Sequence, residues 1–318
     1  MAGHPRREGA NPLAHPEIGE NAGRFLPSTM RMRNALTIDV EDYFQVSAFA
    51  PHIARGDWDR LPCRVERNVD TILAMLDEHG RFATFFTLGW IAERYPELVR
   101  RIIAQGHELA SHGYGHQRAS ELGRAEFMQD ICHAKKLLED IGGVAVKGYR
   151  APSFSIGRDN LWALSCLKEA GYRYSSSIYP IRHDHYGMSE APRFAYYAEQ
   201  GLLELPVTTV SILNRNFPAG GGGYFRLLPY GVSRWCLRRV NAVDGRPCIF
   251  YFHPWEIDPG QPRQRGIGLK TRFRHYVNLG SMQARIRTLL SDFEWDRVDR
   301  VFPEADSPHA GAPQRVHA

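Results

Sequence analysis

The chain has 318 residues, 43% of them hydrophobic, and 40 basic against 35 acidic side chains give a formal charge of +5. That suffices for a core in one large domain or two small ones. The basic residues are spread along the chain rather than gathered into a patch, which argues against a dedicated nucleic-acid binder.

Residues 1–33 carry Pro, Gly, His and Arg without an apolar core, so they are expected to be a disordered leader and not a secretory signal. Met30 and Met32 are alternative starts. The five cysteines are scattered, with no C-x-x-C pair, which speaks against a disulfide framework or a zinc ribbon. Reduced thiols and the missing signal predict a cytoplasmic protein. No stretch approaches transmembrane length.

Asn34 to Ile38 reads as a buried strand that runs into three acids, Asp39, Glu41 and Asp42. Apolar residues at helical spacing follow from Val65 to Leu76, with Gly80 as a stop. Phe82 to Thr87 reads as a second strand, Ile91 to Ile103 as one helix, and His107 to Ser111 as a third strand. A helix over Phe127–Ile141, a strand over Val146–Tyr149, a helix over Leu161–Ala170 and a strand from Tyr172 to Tyr174 continue the alternation. Repeated strand–helix units predict an α/β fold with parallel strands, in an open sheet or a barrel. From Tyr179 to Tyr230 the rhythm is lost, and Gly220 to Gly223 with Pro192, Pro206, Pro218 and Pro229 predict a loop-rich insertion. A helix over Val232–Val240, a strand from Cys248 to Phe252, a basic segment and a helix over Met282–Leu290 complete the chain.

Polar residues repeatedly follow the strands: Asp39, His112, Arg150 and His253. That places them on one rim, where α/β folds bind their ligands. Three carboxylates there repel one another unless a cation compensates them. His112 and His116 form an H-x-x-x-H pair whose four-residue spacing lets two imidazoles converge on one ion; chance or a structural role is the competing explanation. With a strand-end carboxylate they complete a two-His, one-carboxylate set suited to zinc or another first-row divalent metal. Arg150 either sits solvated on a tight turn set by Pro152, or holds a carboxylate ionised and aligned. His253 is either a rim residue or a general acid.

In this order the stretches Thr37-Ile38-Asp39, Ser111-His112 to His116, Arg150 to Phe154 and Phe252-His253 resemble the polysaccharide deacetylases of carbohydrate esterase family four, the NodB-homology group. The details Asp-Val-Glu-Asp-Tyr-Phe, Gly-Gly-Gly-Tyr-Phe-Arg and Phe-His-Pro-Trp-Glu look like the subgroup associated with exosortase systems and exopolysaccharide gene clusters. The resemblance implies a distorted (β/α) barrel with a loop-rich C-terminal extension. It places the catalytic domain at 34–260, the extension at 261–303 and a disordered tail at 304–318.

The implied activity is metal-dependent removal of N-acetyl groups from amino sugars of an exopolysaccharide or its precursor. One divalent ion, zinc first and cobalt, nickel or manganese as alternatives, would be held by His112, His116 and either Glu41 or Asp42. Asp39 would be the base, Arg150 its partner, the Ser153 backbone amide an oxyanion donor and His253 the acid. Tyr114, Pro152, Phe154, Tyr224 and Trp255 are the expected sugar contacts. The expected partners are an N-acetylated glycan and membrane-bound exopolysaccharide machinery, with no nucleic acid. Two departures stand out. Val40 separates acids that are adjacent in the family, and Ser175 occupies the region where an aspartate orients the catalytic His. Another acid, such as Asp184, is expected to substitute, or the His goes unassisted. The rival readings are an amidohydrolase of small non-sugar amides and a non-catalytic glycan binder.

Overall fold

In β1 (Arg33–Val40) every residue after Arg33 is buried, as in a parallel strand covered on both faces. The computed structural model describes residues 32–182 and 187–305; the leader up to residue 31, Asp184 and the tail beyond 305 lie outside the described residues. After β1 come α1 (Val65–Glu78), β2 (Thr84–Thr87), α2 (Gly89–Arg94), α3 (Pro96–Ala104), β3 (Glu108–Ser111), α4 (Arg124–Gly142), β4 (Gly148–Tyr149), α5 (Trp162–Glu169) and β5 (Tyr174–Ser175). The next stretch holds β6 (Tyr196–Tyr197), β7 (Leu203–Glu204), the hairpin of β8 (Thr209–Ile212) and β9 (Arg215–Pro218), α6 (Gly222–Leu227) and α7 (Tyr230–Arg239). The chain then forms β10 (Ile249–Phe252), α8 (Leu269–Tyr276), α9 (Leu279–Asp292), β11 (Glu294–Asp296) and α10 (Val298–Val301).

The main sheet runs β10-β1-β2-β3-β4-β5-β7-β6, and β11 pairs the first residues of β1. All pairs are parallel except β6 with β7. The sheet curls into an incomplete barrel, the α/β fold class expected. Helices between consecutive strands return the chain to the same end of the sheet, so the strands deliver their C-terminal residues to one rim. The largest core cluster joins Leu36 and Ile38 of β1, Val69 and Leu73 of α1, Phe250 of β10, and Ile286 and Leu289 of α9.

Two local expectations need correction. The single helix over Ile91–Ile103 is two, because Pro96 has no N–H and forces Tyr95 out of helical geometry (φ −128°, ψ 58°). The insertion is not structureless: it contributes β7 to the main sheet, and its glycine run opens α6 rather than a loop. The residues after 260 pack on the barrel, where β11 pairs β1 and α9 enters the core.

Candidate active site

Asp39 is the last inward-facing residue of β1 and is buried against the guanidinium of Arg150, which follows β4. Arg150 Nη1 donates to Asp39 Oδ1 at 2.6 Å and to Thr37 Oγ1 at 2.8 Å. Its Nε and Nη2 donate to the carbonyl and hydroxyl oxygens of Ser176 at 3.1 and 2.9 Å. The guanidinium also stacks over Phe86 at 4.2 Å. A buried arginine is tolerated only when its donors are used and its charge is matched, and here both conditions hold. One carboxylate oxygen of Asp39 is thereby fixed while the other, Oδ2, faces the cleft.

Beside Asp39, Glu41, His112 and His116 each offer a ligand atom, all within 4.8 Å of one another and all buried. His112 Nδ1 lies 2.8 Å from the Arg150 carbonyl, which can only accept, so Nδ1 carries the proton and the Nε2 lone pair is left for the site. Burial, with the neighbouring His116, lowers His112 to about 4 despite the nearby acids, so its imidazole is neutral at pH 7. Glu41 Oε2 and His116 Nε2 lie 2.6 Å apart yet out of hydrogen-bonding alignment, leaving Oε2 a buried oxygen without a donor. Burial opposes ionisation of Glu41, but His116, His253 and His112 outweigh it and hold the carboxyl below its usual range. Two nitrogens and one carboxylate, whose buried Oε2 has no donor, fit a divalent cation.

Asp42 is not in this group, which corrects its place among the candidate ligands. It accepts from the backbone amides of Tyr43 at 2.7 Å and Val65 at 2.9 Å, from that of Arg64, and from the Cys63 thiol at 3.0 Å. The carboxylate is committed to the start of α1, where helix amides lack partners of their own.

His253 follows β10, the strand paired beside β1. Its Nε2 lies 3.4 Å from Glu41 Oε1 and 3.9 Å from Asp39 Oδ2. Its ring stacks on Trp255, whose indole N–H donates to Glu41 Oε1 at 3.2 Å. Nδ1 is 2.8 Å from Glu256 Oε1. Burial disfavours the imidazolium, but Glu41, Glu256 and Asp39 outweigh it and raise His253 to about 9. Glu256 accepts from Arg226 Nε at 2.6 Å, and Arg226 also donates to the carbonyls of Arg274, His275 and Val277. Burial opposes the Glu256 charge, while Arg226 and His253 bring the carboxyl down to about 2. Gly222 abuts Glu256 so closely that a Cβ would collide with the carboxylate.

Sequence reasoning missed Glu256 and Arg226. Both stood inside quoted motifs, as the last residue of His-Pro-Trp-Glu and the Arg after Gly-Gly-Gly-Tyr-Phe. The His-x-x-Glu spacing was the available signal. His253 does not go unassisted, because Glu256 faces its Nδ1; Asp184 lies outside the described residues. Ser175, Ser176 and Ser177 are buried and serve the Arg150 segment instead: Ser175 donates to Ser177 Oγ, which accepts from the Ala151 amide.

Asp39, Glu41, His112, His116 and His253 line a cleft of about 810 Å³. Ser153, Phe154 and Trp255 line it too, and Ser153 and Phe154 both have positive φ (56° and 50°). Such backbone costs about 1–3 kcal/mol per residue, a strain found at binding sites. Three expected sugar contacts lie elsewhere. Pro152 is buried and only begins the turn that presents its neighbours. Tyr114 points away, its hydroxyl donating to Glu93 at 2.7 Å and its ring against His133. Tyr224 lines a separate depression.

Residues 57–175 match the family model described as polysaccharide deacetylase. That stretch is similar to polysaccharide deacetylases. Residues 176–303 match a family described as a domain of unknown function, DUF3473. The first matched region holds His112, His116 and Arg150, whereas Asp39 and Glu41 precede it and His253, Glu256 and Arg226 fall in the second region. The chain is 36% identical over 93 residues to the peptidoglycan-N-acetylglucosamine deacetylase of Bacillus cereus, covering 29% of this chain and 34% of that protein. It is 35% identical over 95 residues to the chitooligosaccharide deacetylase of Sinorhizobium fredii, covering 30% and 44%. The matches thus span less than half the length of these curated relatives. A crystal structure from Mycobacterium smegmatis, carrying the name polysaccharide deacetylase, superposes over 95% of this chain and 99% of its own with a TM-score of 0.57. At 19% identity that is a likeness of fold.

Proposed function

We propose that the protein hydrolyses N-acetyl groups of amino sugars, and that its substrate is an exopolysaccharide or a precursor of one. One observation carries the reading: a carboxylate fixed by a buried arginine and a histidine fixed by a buried glutamate meet across one point, Asp39 Oδ2 and His253 Nε2 lying 3.9 Å apart beside the Glu41–His112–His116 cluster. A hydrolytic site needs this pairing of base and acid on either side of the scissile bond.

Asp39 takes a proton from the attacking water through Oδ2, while Arg150 keeps Oδ1 in place. His253 protonates the departing nitrogen from Nε2, and Glu256 keeps Nδ1 protonated and the ring oriented. The Ser153 amide is the expected donor to the carbonyl oxygen as charge grows on it. Glu41, His112 and His116 would hold a divalent ion, zinc in our reading, which supplies carbonyl polarisation and acidification of a bound water. A cleft of about 810 Å³ exceeds what a small linear amide needs and lies in the range, about 300–1,000 Å³, of larger ligands. The retained base and acid speak against a non-catalytic glycan binder.

No helix among the described residues is long and apolar enough to cross a membrane. A cytoplasmic location and association with membrane-bound exopolysaccharide machinery remain part of the proposal, to be checked by cell fractionation. The decisive test is acetate release from chitooligosaccharides, peptidoglycan and N-acetylated exopolysaccharide, with and without a chelator. Chelator-sensitive release is expected, fastest on the exopolysaccharide. A metal-loaded protein that releases acetate from none of them would overturn the reading.

A further inference from the structure

We propose that the β8–β9 hairpin and the outer face of α7 form a site that binds the surface of an anionic lipid bilayer. The contact is with lipid and not with protein machinery, and it does not rest on the deacetylation reading. The hairpin leaves the barrel beside β10, where the Thr208 hydroxyl accepts from the Ile249 amide at 2.6 Å. Register places Val210 opposite Phe217 and Ile212 opposite Arg215, so these four share one face of the hairpin. Val210 packs there with Ala219 and with Cys236 of α7, while Ile212, Arg215 and Phe217 are exposed. On α7, Ser233, Cys236 and Leu237 are buried, and Arg234, Trp235 and Arg238 form the outer face.

The hairpin tip is what packing inside the protein leaves unexplained. Leu213 and Asn214 form its two-residue loop, with φ of 50° and 57°. Asn and Gly take that left-handed conformation readily, whereas leucine is strained in it. Leu213 is also 93% exposed, so burial offsets none of the strain. A strained, solvated leucine weakens the free protein, and an apolar medium outside the protein accounts for it. Phe217 and Trp235 are 46% and 50% exposed. Aromatic rings held in this way settle between lipid headgroups and acyl chains.

Charge selects the occupant. Residues 205–248 hold six arginines and a single acid, Asp244. Arg226 is buried on Glu256, and Arg234 faces Asp292 at 3.7 Å. Asp244 is itself taken by Arg193 at 3.0 Å. Arg215, Arg238, Arg239 and Arg246 form no ion pair among the described residues. Arginines interleaved with exposed apolar tips match a surface of anionic headgroups over acyl chains. A second copy of this surface would set arginine against arginine, which disfavours self-association.

The test uses the full chain and phosphatidylcholine vesicles with or without about 30% phosphatidylglycerol, the anionic lipid that supplies surface charge. Co-sedimentation reads binding, thermal melting reads the fold, and sedimentation velocity reads self-association. The variants are Leu213→Asn, the pair Arg215→Gln with Arg238→Gln, and Leu269→Ser, a control at an exposed leucine of α8. The parent should sediment with the anionic vesicles alone, and less so as salt rises. Leu213→Asn should weaken that binding about tenfold, the worth of one buried leucine, yet melt no lower than the parent because it relieves the turn. The arginine pair should weaken it about twenty- to thirtyfold, about fivefold for each charge. Leu269→Ser should bind as the parent does. A parent that ignores anionic vesicles overturns the proposal, as do hairpin and α7 variants that bind as tightly as the parent. Self-association that Leu213→Asn abolishes, without vesicle binding, overturns it too and reassigns the surface to a second copy of this chain.

Discussion

Nδ1 of His253 lies 2.8 Å from Oε1 of Glu256, and the same carboxylate is clamped by Arg226 at 2.6 Å. The imidazole proposed as proton donor is therefore oriented from its own strand end and tied to the C-terminal region through one arginine. Glu256→Gln keeps the shape but loses the charge that stabilises the imidazolium. It should lower kcat about ten- to a hundredfold, at the mild end for loss of acid assistance, with KM little changed. Arg226→Met should cost about 3–5 kcal/mol of stability, because it strands a buried carboxylate. The double variant should regain part of that stability and none of the rate. Thermal melts and initial rates read both; unaltered kcat in Glu256→Gln would sink the positioning role.

Glu41 and Asp42 are neighbours with opposite assignments. Glu41→Gln should abolish stoichiometric zinc binding, measured by metal analysis after dialysis, as should His112→Ala. Asp42→Ala should keep the metal and lose about 1–2 kcal/mol of stability, since it uncaps α1. Metal loss in the Asp42 variant with retention in the Glu41 variant would reverse the assignment.

Arg150→Met removes the guanidinium that pairs Asp39 Oδ1, leaving only the His253 imidazolium 3.9 Å from the other oxygen. We expect a loss of about 3–5 kcal/mol in urea unfolding and almost no acetate release. Lysine should rescue stability in part and activity hardly at all, because a single ammonium cannot span Asp39, Thr37 and Ser176 at once. Equal activity of the Lys variant and the parent would dismiss the alignment argument.

Glu204 on β7 is fully buried, and burial raises its carboxyl to about 7 even though the amides of Ser177 and Ile178 donate to it. Between its ordinary value of 4.5 and about 7 the folded state holds a proton that the unfolded state releases. Stability from this group is thus greatest below pH 4.5, falls as pH rises toward 7 and is level beyond. Urea midpoints at pH 5 and pH 8 should differ less in Glu204→Gln than in the parent. The same drop in both proteins would show that another group, such as Glu108, raised to about 7 chiefly by burial, carries the effect.

Much of this arrangement was legible in the chain because it is local. Strands such as Asn34–Ile38 are apolar runs ending in polar residues, and parallel pairing sends those ends to one rim whatever the exact register. Asp39, His112, Arg150 and His253 could be named for that reason. What could not be read depended on direction or on partners distant in sequence. Glu41 and Asp42 differ in which way one residue turns, and the reason Asp42 turns away is a set of amides more than twenty residues on. Arg226 meets Glu256 across 30 residues, and nothing in either stretch announces the pairing. Tyr114 lies between two metal-binding candidates, yet the turn through Gly113 and its bonds to Asp130 and Glu93 carry its ring outward.

The strand that carries Asp39 is flanked by partners from both ends of the chain. The Asn34 side chain accepts from the Cys248 amide, a span of 214 residues. At roughly 5–20 residues per second on the ribosome, β1 therefore waits about 10 to 40 seconds for β10 to be synthesised. During that interval its apolar edge is open, and a nascent chain in this state is a substrate for a chaperone that shields exposed strands. A protein truncated near residue 245 would keep His112, His116 and Arg150 yet remain in that state permanently, so aggregation, rather than a soluble inactive fragment, is its expected fate.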